Sequence, residues 1–327
     1  AMACQFEGIF NILDDDEAAA CGVDALDAIA EIEELITVYR PTSELSRINA
    51  AAGDGWQGVS QDVFDLLLLA RDLYERTGGS FDATAGPLIR VWGFLRRAGR
   101  RPSPAELDAA RACSGMHLVE FDEPRRRIRF QRPGVELNLG AIGKGWAIDR
   151  AIDRVAAAGI ADVLIHGGHS SVRACGSRGL PAATGTGAGW PVGIRHPLRP
   201  RDRLGTIALV NEAVATSGSG TQFFIDRGRK LGHILDPRSG QPASGVLSAT
   251  VLAPTAAEAD ALATAAYVLG PGEIARIAPA GGPIAAVLSL PGDRPGRVTL
   301  LLANLPPERF QANGDLRELT IIPPAAG

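Results

Sequence analysis

The sequence predicts a mixed α/β (α+β) fold, on three observations. Stretches with apolar residues at helical spacing, two of them opened by capping boxes, are interleaved with short alternating or apolar stretches of strand length. At 327 residues and 46% hydrophobic, the chain has apolar side chains enough for one large core or two smaller ones. No repeat of fixed period and no dividing linker is present, so residues 1–327 read as a single domain, with two intertwined subdomains as the alternative.

The first helix spans Asp16–Ile36, where Ala, Leu and Ile recur at helical spacing with acids between them. A loop covers 39–49. Gln61–Arg76 forms the second helix, with Ser60 as N-cap and Gly78-Gly79 as its left-handed stop. Ser103-Pro-Ala-Glu106 is a capping box with proline at the first helical position, and the helix it opens ends near Ser114-Gly115. Residues 127–131 alternate, Arg132-Pro-Gly134 turns and 135–139 alternate again, which predicts a β-hairpin. A helix over 144–158 precedes a buried strand at 162–165, ended by Gly167-Gly168. The Gly-, Ala- and Thr-rich stretch 177–190 predicts a mobile loop. Strands follow at 206–209, 221–225 and 247–252. Thr255-Ala-Ala-Glu258 is the second capping box; its helix runs to Leu269, where Gly270-Pro271 closes it. Strands at 284–290 and 298–302 complete the core.

The formal charge of −4 and pI near 5.8 supply no field that would gather nucleic acid or an anionic membrane, which leaves small molecules and proteins as partners. Cys4, Cys21, Cys113 and Cys175 are far apart, form no C-x-x-C pair and suit either redox compartment. No apolar run is long enough to span a bilayer and no signal peptide is visible. The opening Ala-Met-Ala-Cys4 resembles the end of a lipoprotein signal, but nothing upstream supports that reading. Lysine occurs only at Lys144 and Lys230, so its placement is informative.

Asp260 and Thr264 stand four apart on the last helix and so share a face, offering two oxygens to a hard cation such as magnesium. By spacing alone Asp260 reads more simply as a solvated helix residue, since alanines flank it. Leu137-Asn-Leu-Gly-Ala-Ile-Gly-Lys-Gly145 is a strand running through a glycine-rich turn into a helix. Its backbone N–H groups and Lys144 suit a phosphate, and a plain tight turn with a surface lysine explains it equally well. Ala215-Thr-Ser-Gly218 and Gly232-His-Ile-Leu-Asp-Pro-Arg-Ser-Gly240 place His233 just before a turn. There it suits a general base or a phosphate contact, although a lone histidine is more often structural. His166 and His169, flanking two glycines, look like a metal pair but lack the further ligands zinc needs.

In order and spacing these segments resemble the ApbE family, the FAD:protein FMN transferases, over nearly the whole chain. Tyr39-Arg-Pro-Thr-Ser-Glu-Leu-Ser-Arg-Ile-Asn49 is similar to the family's Y-D-P-x-S-E-L-S-R-x-N. Gly79-Ser-Phe-Asp-Ala-Thr-Ala-Gly-Pro-Leu88 with Trp92-Gly-Phe94 resembles its G-x-F-D-x-T-x-G-P-L and W-G-F. The turn before Gly145 resembles D-L-G-A-I-A-K-G, and T-S-G, H-I-x-D-P-x-x-G and A-D-A-L-A-T match residues 216–218, 233–240 and 259–264. The resemblance implies that magnesium is held by Asp260, Thr264 and the Ala141 carbonyl. It further implies that FAD, as substrate, contacts Met2, Tyr39, Ser80, Phe81, Asp82, Asn138, Lys144 and His233. An aromatic ring at Tyr39 offers a flat stacking surface for a heterocycle. His233 is the candidate base, with Asp236 as its aid.

The implied reaction attaches FMN through a phosphoester to a Thr or Ser of a partner protein bearing a motif like D-G-x-[ST]-G-A-[ST], with release of AMP. That motif does not occur in this chain, so automodification is not expected. A magnesium-dependent FAD pyrophosphatase and a non-catalytic flavin-binding protein are the alternatives. The resemblance places the protein in the periplasm or anchored to the outer face of a membrane, with the cytoplasm as the alternative. Three positions depart from the family pattern: Asn138 replaces its aspartate, His166-Gly-Gly-His169 replaces N-x-G-G-D, and Met2-Ala-Cys4 replaces methionine followed by Gly-Thr.

Overall fold

The computed structural model describes residues 2, 4–11, 16–178, 189–220, 222–313 and 319–322, in a mixed α+β fold. The chain divides into two compact units, one of residues 1–31, 142–218 and 245–327, the other of 32–141 and 219–244. It opens with β1 (Phe6–Phe10) and α1 (Asp16–Ile36). The second unit follows, with α2 (Glu44–Ala50), β2 (Gln57–Gly58), α3 (Gln61–Arg76), α4 (Gly86–Val91), α5 (Pro104–Ala112), β3 (Val119–Asp122) and β4 (Arg127–Phe130). Next come α6 (Gly143–Ala157), β5 (Val163–Gly167), β6 (Ser171–Cys175), β7 (Trp190–Arg195), β8 (Arg203–Leu209) and β9 (Glu212–Gly218) in the first unit. An excursion into the second unit carries β10 (Phe223–Asp226), β11 (Arg229–Gly232), β12 (Leu235–Asp236) and β13 (Gln241–Pro242). The chain finishes in the first with β14 (Ser248–Ala253), α7 (Ala256–Leu269), α8 (Ile274–Ile277), β15 (Ala285–Pro291), β16 (Val298–Ala303), β17 (Phe310–Ala312) and β18 (Leu319–Ile322).

The first unit is built on an eight-stranded sheet in the order β1-β5-β6-β9-β14-β15-β16-β18, antiparallel except for the last pair. Side chains alternate across such a sheet, so each strand serves two layers. Val172, Val214, Leu252, Val287 and Leu300 point to one face and share a core with Trp190, Ile207 and Leu209 of the small β17-β8-β7 sheet. Ser171, Arg173 and Ser217 stand on the opposite parity and meet α6 and α7. The alanine-rich α7 combines high helix propensity with small side chains, which lets it lie close to its neighbours.

The clearest close approach is at Gly145. A Cβ there would sit 2.0 Å from the Ala256 carbonyl oxygen, so only glycine lets the start of α6 touch the start of α7.

The second unit packs α3 through Val63, Phe64, Leu66, Leu67 and Leu73, and a smaller cluster joins Leu88, Trp92, Phe94, Ala110 and Leu235. The capping box at Ser103 forms as its spacing predicts, with Glu106 Oε2 accepting from the Ser103 N–H at 2.8 Å. Gly78 and Gly79 carry the positive φ of a helix stop.

Two expectations are corrected. Residues 39–49 are not loop throughout, because Ser43 accepts from the Ser46 N–H and starts α2. The hairpin expected between 127–131 and 135–139 does not form; β4 pairs antiparallel with β3 and with β2. Residues 119–122 alternate as well, and a four-residue turn joins them to β4 at short range. The Leu137 backbone bonds instead to the Asn49 side chain, and the Asn138 N–H to the Ala83 carbonyl. Most of the expected loop at 177–190 lies outside the described residues. No helix among the described residues is long and apolar enough to cross a membrane.

Gly145→Ala is expected to cost about 1–3 kcal/mol by overpacking, read as a lower melting temperature. Gly272→Ala, where a Cβ meets nothing within 4 Å, is the control and should change little. Glu106 gives a pH test. Arg100 first, then the Ser103 N–H and hydroxyl, lower its pKa from 4.5 to about 2. Its contribution is therefore complete above the unfolded value and is lost as pH falls through the folded one. The melting difference between wild type and Glu106→Gln should be present at neutral pH and close as the pH is taken down towards about 2.

Candidate active site

Asp260 lies in the second turn of α7 and is only 6% exposed. A carboxylate so placed must find donors, because an unpaired buried charge is costly. Three are supplied. Ser171 Oγ of β6 donates to Oδ1 at 2.6 Å, the Gly145 N–H at the start of α6 donates to Oδ2 at 2.9 Å, and the Lys144 ammonium stands 3.3 Å from Oδ2. One turn on, Thr264 Oγ1 donates to the Asp260 carbonyl at 3.3 Å and lies 3.0 Å from Ser217 Oγ at the end of β9. The structure thus brings Lys144, Asp260 and Thr264 together, and adds Ser171 and Ser217.

Asp260, Thr264 and Ser217 are all hard oxygen donors and few in number, which suits magnesium, a cation that keeps sites open for water and phosphate. The ammonium of Lys144 already occupies the ground where positive charge is favoured, so the cluster fits a cation on chemical grounds. The reading of Asp260 as a solvated helix residue is overturned by its burial.

A second buried carboxylate sets the geometry of this helix. Asp149 of α6 accepts from the Ala256 and Ala257 N–H groups at 2.9 Å each and from Arg173 at 2.7 Å. It therefore caps the N-terminus of α7 from another helix, satisfying two of the donors that every helix start leaves open. Burial pushes its pKa upward, opposed by Arg173 and the two N–H groups. Thr255 Oγ1 takes the Glu258 N–H.

The second unit holds the other predicted residues. His233 Nδ1 lies 3.1 Å from the Gln222 carbonyl, which can only accept, so Nδ1 carries the hydrogen and a neutral ring has its lone pair on Nε2. That ring and Phe94 stand edge-to-face, their centroids 6.4 Å apart. Asp236 accepts from the Arg238 backbone N–H, Nε and a terminal nitrogen at 2.9–3.0 Å, so its carboxylate shapes the turn and holds Arg238. Trp92 Nε1 donates to the Gly240 carbonyl at 2.8 Å, which ties the Trp-Gly-Phe segment to the end of that turn.

Tyr39 is 73% exposed and presents its ring to solvent. Ser80, Phe81 and Asp82 are buried: Ser80 donates to the Thr77 carbonyl, and Asp82 accepts from the Thr84 N–H and hydroxyl. Burial raises the Asp82 pKa, with Thr84 opposing. Asn138 Oδ1 accepts from the Gly140 N–H at 3.0 Å, the same service an aspartate would render, and Ala141 follows in that turn. Met2, in the first unit, sits in a turn with φ of 50°.

His166 and His169, also in the first unit, stack at 5.4 Å, with His166 Nε2 3.5 Å from Glu7; burial lowers the His166 pKa. Among the described residues no group of three or more His, Cys, Asp or Glu suits a metal.

Removing the Asp149 carboxylate leaves Arg173 and two helix N–H groups without their partner. Asp149→Ala should therefore cost about 3–5 kcal/mol of unfolding free energy, measured by chemical denaturation.

Against known proteins, the chain matches the ApbE family over residues 9–288. It is 32% identical over 243 residues to the FAD:protein FMN transferase of Salmonella typhimurium, covering 72% of this chain and 67% of that one. To the FAD:protein FMN transferase of Klebsiella pneumoniae it is 31% identical over 264 residues, 80% of this chain and 79% of that one. Among solved structures, the Pseudomonas stutzeri flavinyl transferase ApbE in its apo form superposes with a TM-score of 0.78 at 26% identity, covering 95% of this chain and 98% of that one. The Thermotoga maritima ApbE protein gives 0.74 at 27% identity, with 88% and 94% covered. The fold, the order of its segments and these likenesses agree, and the chain belongs to the ApbE family.

Proposed function

We propose that this protein is a magnesium-dependent FAD:protein FMN transferase. The observation that carries the reading is the buried Asp260 carboxylate, with Thr264 one turn on, its hydroxyl bonded to the Asp260 main-chain carbonyl and 3.0 Å from Ser217 Oγ, a set of oxygen donors that a divalent cation would use. Magnesium held by Asp260 and Thr264 would neutralise charge on the FAD pyrophosphate.

The chain's own residues do the remaining work. Lys144 faces the same carboxylate and can turn its ammonium to a phosphate oxygen. The exposed Tyr39 ring offers a stacking face for the flavin or adenine; the family resemblance adds Met2, Asn138 and the buried Ser80-Phe81-Asp82 turn to the proposed contacts with FAD. A serine or threonine hydroxyl of the acceptor attacks the FMN phosphorus, the bond from that phosphorus to the AMP oxygen breaks, and AMP leaves with the electron pair. The hydroxyl proton goes to Nε2 of His233, the position its Nδ1 contact leaves unprotonated in the neutral ring. Asp236 supports this turn through Arg238 and takes no proton.

The test is to incubate the chain with FAD, magnesium and an acceptor peptide bearing D-G-x-[ST]-G-A-[ST], and to follow AMP and covalent flavin by mass spectrometry. Covalent FMN on the peptide is expected, lost with EDTA and reduced about 10²–10³-fold or more by Asp260→Ala. AMP without adduct would make the protein a pyrophosphatase, and bound FAD with neither product a flavin-binding protein. His233→Ala should slow transfer by about 10²–10⁴-fold near neutral pH, and a full rate at every pH would remove it as the base.

A further inference from the structure

We propose that the β10–β11 hairpin receives the acceptor protein, binding an extended segment in which apolar and acidic side chains alternate. This rests on the transferase reading above. Among the described residues the hairpin forms a sheet of two strands only, so no neighbouring described strand takes the outward N–H and C=O groups of its edges, and an added strand can use them. It is held from its inner face, where Phe224 packs at 6.2 Å from Trp92 and 5.8 Å from Phe94, with Leu231 on the same cluster.

The outer face reverses the usual pattern of a solvated strand. Phe223 is 45% exposed and Ile225 61%, at alternate positions pointing outward. Lys230, the register partner of Ile225, holds its ammonium 4.2 Å over the Phe223 ring. Arg227 and Arg229 stand at the tip. The one acid of the hairpin, Asp226, is used by Arg101 at 2.7 Å. Among the described residues no carboxylate pairs with Arg227, Arg229 or Lys230.

An apolar strip with a basic rim, on a chain of net charge −4, calls for a partner with apolar and acidic residues in turn. A second copy of the chain would bring three basic residues against the same three, which opposes self-pairing. Lipid would satisfy the apolar strip and the charge but not the open strand edges. Position adds to this. The ladder runs on past Gly232, where the His233 N–H donates to the Gln222 carbonyl at 3.2 Å, so a segment laid along the hairpin leads to the candidate base within the same unit.

The test uses the full chain and a synthetic peptide with a central Asp-Gly-Ala-Thr-Gly-Ala-Thr stretch flanked by alternating Val and Glu. Hydrogen exchange at residues 223–232 should slow when the peptide is added, without FAD or magnesium. Phe223→Ser with Ile225→Ser, and separately Arg229→Glu with Lys230→Glu, should each raise the peptide Kd about tenfold or more, with FAD affinity unchanged. Unaltered exchange in the hairpin, or wild-type affinity in both double variants, would overturn the proposal. So would protection of the hairpin by phosphatidylglycerol vesicles and not by the peptide, which would make it a membrane contact. Slowed exchange with no covalent flavin would keep the docking surface and remove the transferase reading. Transfer unaffected by either double variant would do the reverse.

Discussion

The buried carboxylate of Asp260 is the constraint on which the candidate site depends. Withdrawn from water, it needs donors from several directions, and they come from a strand, a helix start and a lysine: Ser171, the Gly145 N–H and Lys144. Each demand propagates. The Gly145 N–H reaches it because glycine lets α6 approach α7, and Ser171 reaches it because strand parity turns that residue to the helical layer. The same parity sets Ser217 beside Thr264 and sends Arg173 to Asp149, which in turn caps α7 and fixes where Asp260 stands.

The second unit shows another economy of the same kind. Segments that look like ligand motifs in the sequence are bonded to one another in the fold. Asn49 clamps the Leu137 backbone at both its N–H and its carbonyl, Trp92 reaches the Gly240 carbonyl, and Gln222 bonds the Phe94 carbonyl while its own carbonyl holds His233. These contacts give the polar residues of those segments a structural duty whatever ligand they meet. Ser80 and Asp82 are likewise turned inward, bonded to Thr77 and Thr84 of their own turn.

What was legible in the sequence follows from how local the cause is. Gln61–Arg76 and the box at Ser103 declare themselves through caps, glycine stops and spacing, all settled within a few residues. Asp260 and Thr264 share a helix face by arithmetic alone. The partners that give them meaning, Ser171 and Ser217, lie 89 and 47 residues away and are set by sheet register, which no local pattern reports. Ser217 was within the quoted Thr-Ser-Gly segment, whereas Ser171 carried no signal. Asp149 likewise finds its partners, the Ala256 and Ala257 N–H groups, 107 and 108 residues along the chain. The expected hairpin at 127–139 failed for a related reason: both halves alternate, but so does 119–122, and the backbone at 137–138 is taken instead by the distant Asn49 side chain and the Ala83 carbonyl.

The central claim is that the Asp260 cluster is built for a divalent cation. Electron paramagnetic resonance of Mn²⁺ titrated into the wild-type chain and into Asp260→Asn, with circular dichroism to show that both are folded, tests it most directly. The account predicts Mn²⁺ bound to the wild type, displaced by Mg²⁺ and lost in the variant. Equal binding by a folded Asp260→Asn would contradict it.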